Sequence, residues 1–335
     1  MWRETTRHQR NQVIFDEEFD AFLPPRILDF HIHVWNEAVI PPGQTFSCGG
    51  HPLAAYDLEM LAQDLADLYP GRETLGVCFG LPDTGYDLDR NNDYVADRCD
   101  HRRFFPLRLF DPQRDTPGQL WADLESKRFL GLKPYLNYVR KPDPNAVEIP
   151  EMLPDWAMEM VDRLGLIVML HIPRSGRLAD PLNQRQVVAL CERYPRAQIV
   201  LAHVGRAYYL QNIVGHLDRL KELPNLYFDL AMLNHWEALE YLFQQADPRR
   251  LLYATDTPIA LAPGKSVEIN NQYTYVTPVP WELSISDEHH RLVFTAFAYE
   301  ELRAIKKAVE RLELGRDFVE GLFYENGMAL LNRVR

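Results

Sequence analysis

His31 and His33 stand two residues apart in the apolar run RILDFHIHV. On an extended strand such residues share a face, so one strand can present both imidazoles to the same space. His171 closes the run GLIVMLHI, His203 lies at the end of AQIVLAHV, and Asp256 ends RLLYATD. A lone strand histidine is ordinarily a hydrogen-bonded core residue. Several imidazoles and a carboxylate brought together at strand ends are costly to bury without a partner. A divalent cation would remove that cost. Neutral imidazole nitrogen and carboxylate oxygen suit Zn²⁺, with Mn²⁺ or Fe²⁺ as alternatives, and no cysteine stands at these strand ends to offer thiolate. A catalytic metal keeps an open position for water, and a neighbouring carboxylate can take the proton from that water; Asp256 is the candidate base.

The elements that must carry these side chains follow the rhythm of a parallel sheet covered by helices. Eight apolar runs recur: RILDFHIHV, TLGVCFGL, RFFPLRLF, FLGLKPY, GLIVMLHI, AQIVLAHV, NLYFDLA and RLLYATD. Between them lie amphipathic stretches such as AAYDLEMLAQDLADLY, QRQVVALCERY, YLQNIVGHLDRLKEL and HWEALEYLFQQA, with apolar residues at helical spacing. The Thr116-Pro117 and Asp180-Pro181 steps fit helix starts. Eight strands with intervening helices predict an α/β fold, a closed (β/α)₈ TIM barrel whose reactive groups sit at the carboxyl ends of its strands. An open doubly wound sheet is the alternative, but no GxGxxG follows the first strand. Residues 1–26 read as a polar extension whose FDEEFDAF stretch is expected to form a short helix over one mouth of the barrel. Residues 27–335 read as one catalytic domain. Long, apparently structureless connections at about 35–53 and 257–288 are expected on the reactive face, as a substrate lid.

Cations near the strand ends add a second theme. Lys133 lies in the fourth run, Arg108 interrupts the third, and Arg174 and Arg206 follow His171 and His203. An inward arginine can fork a substrate carboxylate, whereas an outward one is an ion-paired wall residue. Trp35, Tyr273, Tyr275 and Trp281 in the long connections could cover a ring-shaped ligand or merely pack. The balance of 36 basic against 48 acidic residues, a net −12 over 335 residues, argues against a nucleic-acid partner. No apolar run approaches the roughly 18 residues that would cross a bilayer, so no membrane partner is expected and the location is expected to be cytoplasmic. Four widely spaced cysteines read as free thiols. The composition suits a monomer and a homodimer alike.

The motifs DFHIHV, GLKPY, VMLHIP, LAHVGR and YATDTP occur in this order over Ile27–Asn332, and a YENGMALL ending follows them. In this the chain resembles the amidohydrolase superfamily, especially the amidohydrolase-related branch that includes the aminocarboxymuconate-semialdehyde decarboxylase and pyrone-dicarboxylate lactonase types. The resemblance implies that His31, His33, His171 and Asp256 hold one metal, most simply Zn²⁺, and that His203 polarises a substrate carbonyl or shuttles a proton. Binuclear relatives carboxylate a strand-four lysine, whereas the decarboxylase and lactonase types use one metal or none; for Lys133 this leaves substrate contact, a carboxylated bridge or an ion pair. The expected activity is hydrolysis of a lactone, amide or ester bond in a small, carboxylated organic substrate. The alternatives are non-oxidative decarboxylation of an unsaturated or aromatic acid, and a non-catalytic ligand-binding barrel with a structural metal.

Overall fold

In the computed structural model residues 5–334 are described, with side chains from residue 8 onward. All eight anticipated runs become parallel strands. β1 (Arg26–His33) is followed by an antiparallel hairpin, β2 (Phe46–Cys48) and β3 (His51–Leu53). The parallel strands continue as β4 (Glu73–Phe79), β5 (Phe104–Pro106), β6 (Arg108–Phe110), β7 (Gly131–Pro134), β8 (Ile167–Leu170), β9 (Gln198–Leu201), β10 (Leu226–Asp229) and β11 (Leu251–Leu252). The third run is split at Leu107. β5 pairs with β4, β6 pairs with β7, and Leu107 itself donates to Cys78 O at 2.8 Å, so one segment hands the ladder from one sheet to the next.

The cylinder closes where the last strand meets the first. Phe30 N donates to Tyr253 O (2.9 Å), Asp256 N to His31 O (3.0 Å) and His33 N to Thr257 O (2.8 Å). The result is the expected (β/α)₈ barrel. Its interior is filled by Phe30, Val77, Phe105, Met169 and Val200, which pack with Leu330 and Leu331 of the last helix. Gly131 opens β7 because the neighbouring strand leaves no room: a Cβ there would lie 2.0 Å from Ile167 O.

The helices are α1 (Thr5–Ile14), α2 (Leu58–Leu68), α3 (Leu88–Arg98), α4 (Pro117–Ser126), α5 (Ile149–Met152), α6 (Asp155–Leu164) and α7 (Pro181–Arg193). A short turn, α8 (His203–Arg206), precedes α9 (Trp236–Gln245), α10 (Phe297–Arg311), α11 (Arg316–Glu320) and α12 (Asn326–Val334). Thr116 caps α4 by accepting from Gln119 N, and Asp180 caps α7 by accepting from Leu182 N and Asn183 N. None of the described helices is long and apolar enough to cross a membrane. The cysteines are free and buried.

Three expectations need correction. YLQNIVGHLDRLKEL forms only two 3₁₀ turns, Leu210–Asn212 and Leu220–Glu222. Ile213, Leu217 and Leu220 are buried as their spacing predicts, but Gly215 at φ +75° breaks the helical path between them. The FDEEFDAF stretch is not a separate short helix. It continues α1 as a π-helical turn, Phe15–Phe19, whose Phe19 meets Tyr299 of α10 edge-on, while α12 plugs the amino-terminal end of the barrel. Nor is the segment from 257 to 288 structureless: it builds a three-stranded sheet, β12 (Lys265–Ile269), β13 (Gln272–Thr277) and β14 (Ser284–Ser286). The two long connections interlock, since a Cβ on Gly49 would meet Ala262 and one on Gly50 would meet Pro280 O and Val279.

Candidate active site

The carboxyl end of β1 delivers His31 and His33, and the turn after β11 delivers Asp256, whose φ of +70° is held by the Asp256 N to His31 O bond. His203 enters from a strained turn. His203, Val204, Gly205 and Arg206 all have positive φ, between 51° and 63°, and a β-branched residue there costs on the order of 1–2 kcal/mol. The turn is pinned by Asp229 at the end of β10, whose Oδ1 accepts from His203 N at 2.7 Å.

Each of three imidazoles has its Nδ1 committed. His31 Nδ1 donates to Asp229 Oδ2 (2.9 Å), His33 Nδ1 to Gly80 O (2.8 Å) and His203 Nδ1 to Ala231 O (3.0 Å). Their Nε2 atoms therefore carry lone pairs, and all three face Asp256: 3.5 Å from His31 and 3.2 Å from His33 to Oδ1, and 3.9 Å from His203 to Oδ2. Asp256 Oδ1 is buried and has no hydrogen-bond partner. Acceptors that face acceptors in a buried space need a cation between them. One donor is nearby, since Lys133 Nζ lies 3.4 Å from His31 Nε2. Ligand atoms of His31, His203 and Asp256 lie within 4.8 Å of one another. This donor set, nitrogen lone pairs with carboxylate oxygen, fits a divalent metal.

The electrostatics agree. Burial lowers the pKa of His31 and His203, keeping both rings neutral. Burial alone would raise Asp256, but attraction to positive charge at the positions of His31, His33 and His203 outweighs it and holds the carboxyl well below the usual range, a charge that a cation held between neutral rings would supply. Burial also brings Lys133 down to about 8. Its ammonium lies over the rings of Phe79 (4.7 Å) and Tyr135 (5.3 Å) and makes no ion pair among the described residues. Beside these groups opens a cavity of about 170 Å³ lined by His33, Phe46, Leu81, Tyr135, Asp256 and Ile259.

Not every expected residue arrives here in its expected place. His171 lies one ring further out, stacked on Tyr135 with centroids 4.8 Å apart and 5.5 Å from His203; its buried Nδ1 has no partner. His203, for which the resemblance implied a role towards the substrate, reaches to within 3.9 Å of Asp256 through Nε2. Arg108 is a correction: its guanidinium points away from the barrel axis, bound to Asp115 (2.8 Å) and Asp123 (2.7 Å), because a buried cation is stable only where carboxylates surround it. Arg174 is turned to Asp180 (2.9 Å) and Asn145 O (2.7 Å). Arg206 spends Nη1 on the carbonyls of Ile172 and Arg174 but stays near enough to His171 to depress its pKa further, after burial. Trp35 is an interior packing residue, with Nε1 on Ala54 O. Tyr273 stacks on Tyr208 at 4.6 Å, and Tyr208 in turn lies 5.6 Å from His203.

Two carboxylates that support the site were not singled out from the sequence. Asp229 orients His31 and the His203 turn, and Asp29 accepts from His31 N and from Thr255 N and Oγ1. Asp229 was visible as a lone carboxylate inside the apolar run NLYFDLA.

The amidohydrolase family profile matches residues 28–333. No curated protein matches the chain. Among solved structures the fold is similar to amidohydrolase 2 from Bifidobacterium longum subsp. infantis, at 15% identity, covering 92% of this chain and 99% of that one, with a TM-score of 0.55. It is also similar to 4-oxalomesaconate hydratase from Rhodopseudomonas palustris, at 15% identity, 92% and 96% coverage and a TM-score of 0.53. A third is 5-carboxyvanillate decarboxylase from Sphingomonas paucimobilis, at 14% identity, 92% and 99% coverage and a TM-score of 0.54. From β1 to the final helix, the span that builds this site, the chain belongs to the amidohydrolase family.

Proposed function

We propose that residues 27–335 form a metal-dependent hydrolase that opens a lactone, amide or ester bond in a small, carboxylated organic substrate. The observation that carries this reading is the convergence of three imidazole lone pairs on a carboxylate whose Oδ1 has no donor. His31, His33, His203 and Asp256 would hold the cation, with Zn²⁺ the best match to their chemistry and His171 within one ring of them. A divalent cation there supplies Lewis acidity, making water nucleophilic near neutral pH and polarising a carbonyl. Asp256 accepts the proton of the attacking water, and the fixed Nδ1–H bonds keep the three rings from turning away. Lys133, a buried ammonium without a carboxylate of its own, offers its charge to the substrate's acid group.

One observation favours decarboxylation as a second reading. The cavity wall beside Asp256 is largely apolar, with Phe46, Leu81 and Ile259, and such a wall solvates a carboxylate poorly. The test is to load the protein with Zn²⁺, Mn²⁺ or Fe²⁺ and present lactones, amides, esters and unsaturated acids, following bond opening and carbon dioxide together. Hydrolysis without carbon dioxide supports the first reading. Carbon dioxide release from the acids replaces it with the second, and no turnover with any metal overturns both.

A further inference from the structure

Helix α10 buries an acid on its apolar stripe. Phe297, Ala304, Ile305 and Ala308 form that stripe, and Glu301, one helical turn from both Phe297 and Ile305, lies on it at 0% exposure. Its neighbour Glu300 is paired with Lys265 and Arg303, whereas Glu301 meets no cation among the described residues. Burial first, and then the charges of Asp29 and Asp229, push its pKa well up. A carboxyl group in such a place is costly to keep. It makes a single hydrogen bond among the described residues: Oε2 accepts from Met232 N at 2.9 Å, and Oε1 has no partner.

That bond holds the peptide unit beside a candidate metal ligand. Met232 N and Ala231 O belong to one trans peptide, so they point in opposite directions. On the far side of the plane, Ala231 O accepts from His203 Nδ1 at 3.0 Å. Glu301 and the His203 imidazole are thus joined through a single rigid unit. The unit needs holding, because Met232 has a φ of +62°, which a side chain other than glycine occupies only at a cost. Turning this one peptide over would return Met232 to a negative φ and point the Ala231 carbonyl away from His203. Asp229 does not prevent this, since its Oδ1 fixes the preceding peptide, through Ala231 N at 3.3 Å. We propose that Glu301 is a positioning residue for His203: by binding the Met232 amide it keeps the Ala231 carbonyl turned to Nδ1, and so keeps the Nε2 lone pair facing Asp256. What that lone pair serves rests on the proposed metal-dependent function; the tautomer itself exists without metal.

The test is long-range ¹H–¹⁵N NMR of the metal-free full chain labelled with ¹⁵N-histidine, which separates protonated from bare ring nitrogens, with His203→Asn assigning the signals. Wild-type His203 is expected to be protonated on Nδ1. Glu301→Met keeps the length of the side chain and removes the acceptor, so the His203 signals should move towards a mixture of tautomers. Zn²⁺ affinity, read by calorimetry, should fall about ten-fold in the same variant. Glu301→Gln still offers an oxygen to Met232 N and should restore both readings. Wild-type His203 protonated on Nε2 overturns the proposal before any variant is made. So does a methionine variant with a lowered melting temperature but wild-type ring signals, which is a structural role only, or a glutamine variant as defective as the methionine one. Should Glu301→Met fail to fold, Glu301→Asp keeps the acid but shortens its reach, and unchanged ring signals there overturn the proposal equally. Wild-type protein that takes up no Zn²⁺ counts against the metal-dependent function alone, because the ring signals are read without metal.

Discussion

Asp229 joins two histidines that are 172 residues apart in the chain: its Oδ2 takes the His31 Nδ1 proton at 2.9 Å and its Oδ1 takes the backbone proton of His203 at 2.7 Å. One carboxylate thereby sets the tautomer of one candidate ligand and the backbone position of another. It is fully buried and its pKa is raised by that burial, while the backbone N–H groups of His203 and Ala231 and the nearby Lys133 ammonium favour its charged form.

Asp229→Asn should therefore weaken the site without touching substrate. The amide can still accept from His203 N, but its NH₂ then faces His31 and favours the tautomer in which His31 Nε2 carries the proton. Metal affinity and turnover are expected to fall by about 10- to 100-fold, with the circular dichroism spectrum unchanged. Titration of metal-free protein with Zn²⁺, read by calorimetry, measures the first. Unchanged affinity would show that Asp229 only shapes the turn.

Asp256→Asn removes the base and one oxygen ligand but keeps the volume and the backbone bond from Asp256 N to His31 O. A loss of turnover of about 10²- to 10⁴-fold is expected at saturating metal, with little change in melting temperature. The assay must be run on a substrate found in the metal-loaded screen, and undiminished turnover would reassign the base.

The parts of this site that could be read from the chain are those that obey a simple period. HxH on β1, the histidines ending β8 and the β9 run, and Asp256 all follow from an apolar run meeting a polar residue at its carboxyl end. Orientation was not legible in the same way. Arg108 interrupts β6 as an inward residue would, and only the fold shows Asp115 and Asp123 waiting on the outer side. The α3 helix escaped notice because it packs with polar residues: Asn91 bridges Leu81 N and Val34 O, and Asn92 bridges the backbone of Leu109, where an apolar stripe would have been expected. The missing helix after β9 is the converse case, a correct apolar period cut by Gly215.

The amino-terminal segment is fastened by Glu18, whose Oε2 and Oε1 accept from Arg303 Nε and Nη2 at 2.7 and 2.6 Å. These bonds hold the Glu18 carboxyl below its ordinary 4.5. A depressed carboxylate pKa means stability that is complete above the ordinary value and is lost as pH falls through the lower, folded one. Glu18→Gln should lower the urea midpoint at neutral pH, by an amount equivalent to less than about 1 kcal/mol for so exposed a pair. The gap to the wild type should close on acidification to about pH 3. A gap that widened on acidification would contradict the assigned pairing.

Lys133 gives the test that separates a structural cation from a substrate-binding one. An ammonium buried to this degree, with no carboxylate paired to it among the described residues, is a net cost to the fold. Lys133→Met keeps the packing against Phe79 and Tyr135 and removes the charge, so the melting temperature is expected to hold or rise. If the charge serves the substrate's acid group, KM for carboxylated substrates should increase by about 10- to 100-fold, while the corresponding uncharged amide or ester analogues are turned over as before. An equal loss for both kinds of substrate would point to the contact with His31 Nε2 instead, and a fall in melting temperature would make Lys133 part of the scaffold. The three outcomes are distinct because the side chain touches one candidate ligand, two aromatic rings and, among the described residues, no acid.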